Sequence, residues 1–162
     1  HNIVNICLAA CLCLAIGMED KDIVAGIEAI KPVPHRLEVI GSRGITIIDD
    51  SFNSNPEGAA YALDTLAQFS GRKVVAAQGL VELGSAEYEA NYNLGKKISE
   101  TADIAILIGP KRFAVKDGLI AHAFDESRIY MTDTLADAQK LFAQILTDGD
   151  TLLIENDLPD NY

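Results

Sequence analysis

The sequence predicts an α/β fold: a mainly parallel sheet with helices on both faces and one antiparallel edge strand. Three observations carry this expectation. Short runs rich in Val, Ile and Ala alternate with longer stretches of helical period. Gly, Pro, Asn or Asp punctuates the joins. Two early runs are separated only by a Gly41-Ser42-Arg43-Gly44 turn, which reads as a hairpin and supplies the antiparallel strand. With 162 residues, 49% of them hydrophobic, the chain is long enough to bury a core.

In the first segment apolar residues recur at Ile3, Val4, Cys7, Leu8, Cys11, Leu12 and Ala15, the helical period, and Gly17 is placed to stop the helix. The apolar stretch Ile3 to Ile16 is shorter than the roughly 20 residues a bilayer span needs. It has no positive leader, and the start at His1 instead of Met reads as a cut, with the natural protein extending upstream. Its apolar face is expected to be exposed without a further domain. The three cysteines, Cys7, Cys11 and Cys13, fall in this segment with no second cluster to complete a disulfide set or zinc site. Their spacing suggests core packing.

A second helix starts around Glu19 to Asp22, whose acids suit a helix N-terminus, and carries Ile23, Val24, Ile27 and Ile30 on one side. Lys31-Pro32-Val33-Pro34-His35 reads as a linker, because each proline denies helix to the residue before it. The domain boundary is expected at this linker, dividing the chain into 1–34 and 35–162. Strands are then expected at Arg36 to Ile40, Ile45 to Asp49, Lys73 to Ala77, Ile104 to Ile108, Ser127 to Met131 and Thr151 to Ile154. The helices between them are expected near Pro56 to Phe69, Ala86 to Thr101, Arg112 to Ala121 and Leu135 to Leu146. The result is a Rossmann-like domain, in which ligands gather at the carboxyl ends of the strands.

The net charge of -11, from 24 acidic against 13 basic residues, argues against nucleic acid as a partner. No membrane segment is expected, and the free cysteines suit a reducing cytoplasm. The expected state is a monomer.

The segment richest in chemistry is Asp49-Asp50-Ser51-Phe52-Asn53-Ser54-Asn55-Pro56, between a strand and a helix. One reading is a polar site at a strand end, where a carboxylate accepts hydrogen bonds from ribose hydroxyls or helps to position Mg2+ and phosphate. The other is capping, with Asn55 as N-cap and Pro56 at the first helical position. Capping accounts for Asn55 to Glu57 and leaves Asp49 to Asn53 unexplained. Gln78-Gly79-Leu80-Val81-Glu82-Leu83-Gly84 also follows a strand, and its glycines suit either a ligand approach or a plain turn. Gly109-Pro110-Lys111-Arg112 reads as a turn, with a basic pair that an anion site would also use. His1 and Asn5 lie one turn apart at a helix start, where capping competes with gripping a heterocycle by its edge. Arg36 after the linker is either a surface charge or a phosphate clamp. No phosphate loop of the Gly-x-x-x-x-Gly-Lys-[Ser/Thr] type occurs.

These segments together resemble the Mur ligase family. His1-Asn2-Ile3-Val4-Asn5 before an Ala-rich helix resembles a His-Asn-x-x-Asn segment near the end of that family's central ATPase domain. Asp49 to Pro56 resembles the Asp-Asp-[Ser/Ala]-Tyr-Asn-Ala-Asn-Pro signature of its D-alanyl-D-alanine-adding branch. Gly79 with Glu82-Leu83-Gly84 resembles that branch's Gly-x-x-x-Glu-Leu-Gly loop. The resemblance implies that 1–34 are the last helices of the central ATP-binding domain and 35–162 the C-terminal domain. It implies an ATP-dependent ligase that adds D-alanyl-D-alanine to UDP-N-acetylmuramoyl-tripeptide through an acyl phosphate. His1 and Asn5 would contact adenine, Arg36 the nucleotide and Asp50 its ribose. Ser51, Asn53, Ser54 and Asn55 would face the incoming amino acid or dipeptide. The C-terminal lobe would swing onto the central one, with Lys31 to His35 as the hinge. The phosphate loop and the Mg2+-binding acids would lie upstream, so no catalytic or metal-ligating residue is assigned here, and the fragment alone is expected to be inactive. The ending Leu153 to Tyr162 departs from the Lys-Gly-Ser-Arg ending of that branch, which leaves the exact substrate open. The competing readings are a receiver-like or flavodoxin-like binding module and a non-catalytic homologue of the family.

Overall fold

The computed structural model describes residues 2–31, 33–42, 44–52 and 54–155. The chain divides into two compact units between Val33 and Pro34. The first unit contains helix α1 (Asn2–Ala15) and helix α2 (Asp20–Glu28). Glu19 is the N-cap residue of α2, and Asp20 and Asp22 lie in its first turn, complementing the helix dipole. Apolar residues occur around α1, and Ile3, Leu8 and Leu12 are all exposed. The cysteines do not pack in a core among the described residues: Cys7 and Cys11 are exposed and Cys13 is half-buried.

Among the described residues, the second unit forms a six-stranded sheet in the order β1-β2-β6-β3-β4-β5. Its strands are β1 (Glu38–Ser42), β2 (Ile45–Asp50), β3 (Lys73–Ala77), β4 (Ile104–Ile108), β5 (Ile129–Thr132) and β6 (Thr151–Glu155). Only β1 runs antiparallel, pairing with β2 at the edge, and every other pairing is parallel. Helices α3 (Pro56–Leu66), α4 (Glu87–Thr101), α5 (Arg112–Ala121) and α6 (Leu135–Ile145) connect them.

Period-2 alternation decides which face each strand residue serves. Ile48, Val75, Ala77, Leu107 and Leu153 pack with Ala62, Leu63 and Leu66 of α3, Ile98 of α4 and Leu119 of α5. Val74, Ala76, Ile106 and Leu152 pack on the opposite side against Ala138 and Phe142 of α6. Strands β3 and β4 are buried on both faces, which is why they read as unbroken apolar runs.

At the amino ends of the strands, Asp150 is buried and accepts from Arg72 Nε at 3.0 Å, Arg72 Nη2 at 2.6 Å and the Thr147 amide at 2.7 Å. Burial alone would push its carboxyl upward, but the bonds from Arg72 and Thr147 outweigh burial and hold it below its ordinary 3.8. A depressed acid stabilises the fold above its unfolded value and loses that contribution as pH falls through the folded value. Asp150→Asn should therefore cost about 2 kcal/mol at neutral pH and flatten the acid limb of stability against pH. Urea titrations at several pH values below 5 measure both effects.

Candidate functional site

Strand β2 ends in Asp49 and Asp50, which alternation places on opposite faces of the sheet. In register with Asp50 is Glu155 of β6, and in register with Glu155 is Ala77 of β3, so three strand ends lie side by side. Glu155 is buried. It was missed in the sequence because that reading ended the strand at Ile154. The polar loop after β2 and the loop Gln78 to Leu83 after β3 thus open at one end of the sheet.

Both carboxylates are anchored by the segment that enters the unit. The Leu37 amide donates to Asp50 Oδ1 at 3.0 Å. His35 Nδ1 lies 2.8 Å from Asp49 Oδ2, and the Ser51 amide donates to Asp49 Oδ1 at 3.1 Å. The Phe52 amide donates to the His35 carbonyl at 3.1 Å, and the Arg36 guanidinium sits 4.5 Å from the centre of the Phe52 ring. These bonds correct the expected strand start. Arg36 and Leu37 precede β1, because His35 and Leu37 adopt left-handed backbone, φ 62° and 49°. That conformation costs a non-glycine residue about 1 kcal/mol or more, and the bonds to Asp49, Asp50 and Phe52 offset it.

The two acids differ in what they have left to offer. Both oxygens of Asp49 are engaged. Burial acts to raise its carboxyl, but hydrogen bonds from Ser51 and His35 prevail and hold it below 3.8. Asp50 keeps Oδ2 free of hydrogen bonds from the described residues. Burial pushes its carboxyl above 3.8, against the Leu37 amide and the charge of Arg36. A half-desolvated carboxylate with one fixed and one open oxygen is an acceptor ready for a hydroxyl donor. Arg36 is exposed and has no ion pair among the described residues, so it is available to an anion.

The remaining candidates divide. Asn55 is the N-cap of α3: its Oδ1 accepts from the Gly58 amide at 2.8 Å, with Pro56 at the helix start. Ser51 is half-buried beside Asp49, and Ser54 Oγ donates to the Asn55 carbonyl at 3.4 Å. Asn5 is exposed on α1 in the first unit. His1 and Asn53 lie outside the described residues, as does the divergent end after Glu155. Lys111 pairs with Glu87, and Arg112 donates to the Thr132 carbonyl at 2.7 Å, so this basic pair serves the turn.

In the loop after β3, Gly79 takes φ 85°, and a Cβ there would meet Asn91 Oδ1 at 2.6 Å. Asn91, buried on α4, accepts from the Leu80 amide and donates to the Leu80 carbonyl, both at 2.8 Å. Sequence reasoning missed this clamp. Its signal was an amide sharing a helix face with the buried Leu94 and Ile98.

A nucleotide would fit this donor set: Asp50 Oδ2 suits a ribose hydroxyl and Arg36 a phosphate. Among the described residues no group of three metal-ligating side chains is close enough to hold an ion.

The family profile described as Mur ligase, glutamate ligase domain, matches residues 35–155. The chain belongs to the Mur ligase family. It is 27% identical over 154 residues to the UDP-N-acetylmuramoylalanine--D-glutamate ligase of Aquifex aeolicus, covering 94% of this chain and 34% of that protein. It is 28% identical over 153 residues to the UDP-N-acetylmuramoyl-tripeptide--D-alanyl-D-alanine ligase of Escherichia coli, covering 92% and 34%. A solved MurF ligase from Thermotoga maritima in complex with ADP shares the fold with a TM-score of 0.78 at 23% identity, covering 96% of this chain and 34% of that one. The chain spans about a third of the length of the relatives it matches. Residues 35–155 are a Mur ligase C-terminal domain, and the chain is similar to both the D-glutamate-adding and the dipeptide-adding ligases. No described helix is long and apolar enough to cross a membrane.

Proposed function

We propose that this chain is the C-terminal lobe of an ATP-dependent amide ligase of peptidoglycan precursor synthesis, acting in the cytoplasm as a monomer. Residues 1–34 are, on this reading, the last helices of its central ATP-binding domain. The observation that carries the reading is Asp50: anchored on one oxygen by Leu37, open on the other, and flanked by an arginine held on Phe52. Asp50 accepts from the nucleotide ribose, Arg36 reaches a phosphate, and His1 and Asn5 contact adenine. Ser51, Asn53, Ser54 and Asn55 face the incoming amine substrate.

In the reaction, an acceptor carboxylate takes the γ-phosphoryl group of ATP, giving an acyl phosphate and ADP. The amine then attacks the acyl carbon and phosphate leaves. Mg2+, when bound, offsets phosphate charge. The role of this lobe is to orient and to exclude water, and positioning dominates such chemistry.

The acceptor and amine are UDP-N-acetylmuramoyl-tripeptide and D-alanyl-D-alanine, supported by the Asp49 to Pro56 signature and the Gly79 to Gly84 loop. Phosphate release by the complete ligase carrying this chain, with ATP and Mg2+, tests it. Turnover should require the tripeptide acceptor and the dipeptide. Turnover with UDP-N-acetylmuramoylalanine and D-glutamate instead would overturn the substrate assignment, and none with any amine would overturn the enzyme assignment.

A further inference from the structure

We propose that His35 is a positioning residue, a latch that ties the entry segment 35–37 to the strand-end loop and so holds the Asp50 carboxylate and Arg36 in place for the nucleotide. The inference rests on the nucleotide reading above for its functional half only. Three contacts bind one short segment to the end of β2: the His35 ring to Asp49, the His35 carbonyl to the Phe52 amide and the Leu37 amide to Asp50. A segment with left-handed backbone at His35 and Leu37 keeps that shape only while something holds it. Arg36 lies between those two residues, and its guanidinium rests on Phe52, whose own amide the latch fixes. Releasing His35 therefore frees both proposed nucleotide contacts together.

The charged groups around the imidazole are Asp49 and Asp50 on β2, Glu38 on β1, whose carboxylate accepts from the His35 amide at 3.2 Å, and the neighbouring Arg36. The ring is 59% exposed, so protons reach it. The Asp49 carboxylate, bonded to Nδ1, raises the imidazole above its ordinary 6.5. A raised histidine keeps its contribution below 6.5 and loses it as pH climbs through the folded value, whereas the depressed Asp49 keeps its own above 3.8. The latch is therefore fully closed between these limits and loosens on the alkaline side.

The test compares His35→Ala with His35→Asn, whose amide nitrogen can replace Nδ1. In this chain, amide exchange of Leu37 and Phe52 should speed up roughly fivefold in the alanine variant and return toward wild type in the asparagine variant. Protection corrected for intrinsic exchange should fall with rising pH through the histidine titration in wild type alone. In the complete ligase, His35→Ala should raise KM for ATP several-fold with kcat nearly unchanged. Unchanged exchange at both amides overturns the latch. A raised KM in Asp50→Ala without one in His35→Ala overturns the positioning role. An unchanged KM in Asp50→Ala overturns the nucleotide reading instead, and exchange then decides the latch by itself.

Discussion

Asp50→Asn in the complete ligase should raise KM for ATP by about 30-fold, as expected for a lost charge-assisted hydrogen bond. The asparagine carbonyl can still accept from the Leu37 amide, so the entry segment stays in place. Its amide group puts a donor where the open Oδ2 faces the proposed ribose hydroxyls. Asp50→Ala removes both contacts, so it should raise KM at least as far as the asparagine variant does and, unlike it, speed exchange of the Leu37 amide. Because burial raises the Asp50 carboxyl above 3.8, nucleotide affinity should fall on acidification through that raised value. That inflection should be absent from the asparagine variant. Equal KM values in wild type and both variants would remove Asp50 from the nucleotide site.

The largest loss of stability should come from Gly95→Ala or Gly118→Ala, at about 3 kcal/mol or more each. A Cβ on Gly95 of α4 would sit 2.0 Å from the Val115 carbonyl oxygen of α5, and one on Gly118 would sit 2.1 Å from the Tyr92 carbonyl oxygen. The obstacles are backbone atoms, so no rotamer change relieves them, and the helices must separate. A single separation relieves both clashes, so the double variant should cost less than the two singles added. Gly26→Ala on α2, where a Cβ meets nothing within 4 Å, is the control and should be neutral or stabilising. Urea midpoints at constant slope read all four variants.

The alternation of apolar runs with helical stretches was enough to locate β3, β4 and α5, because residues such as Val74 and Ile106 are buried from both sides and tolerate nothing polar. The cap at Asn55 and Pro56 was equally local. What the sequence left unread depends on residues distant in the chain. Leu37 has the composition of a strand but is drawn into a left-handed turn by a carboxylate 13 residues away. His35 was visible only as part of a linker, since its partner Asp49 is 14 residues further on. Asn91 and Glu155 acquire meaning from the loops and strands beside them. The chemistry of the Asp49 to Asn55 loop was legible as an excess of polar groups. Which acid stays open was not, because Asp49 and Asp50 differ only in what the fold brings to them.

Hydrogen exchange of the complete ligase, with and without a nonhydrolysable ATP analogue and Mg2+, tests the central claim most directly. The account predicts added protection at Leu37, Ser51 and Phe52, where Asp50 and Arg36 close on the nucleotide. Protection elsewhere in the ligase with these three amides unchanged would contradict it.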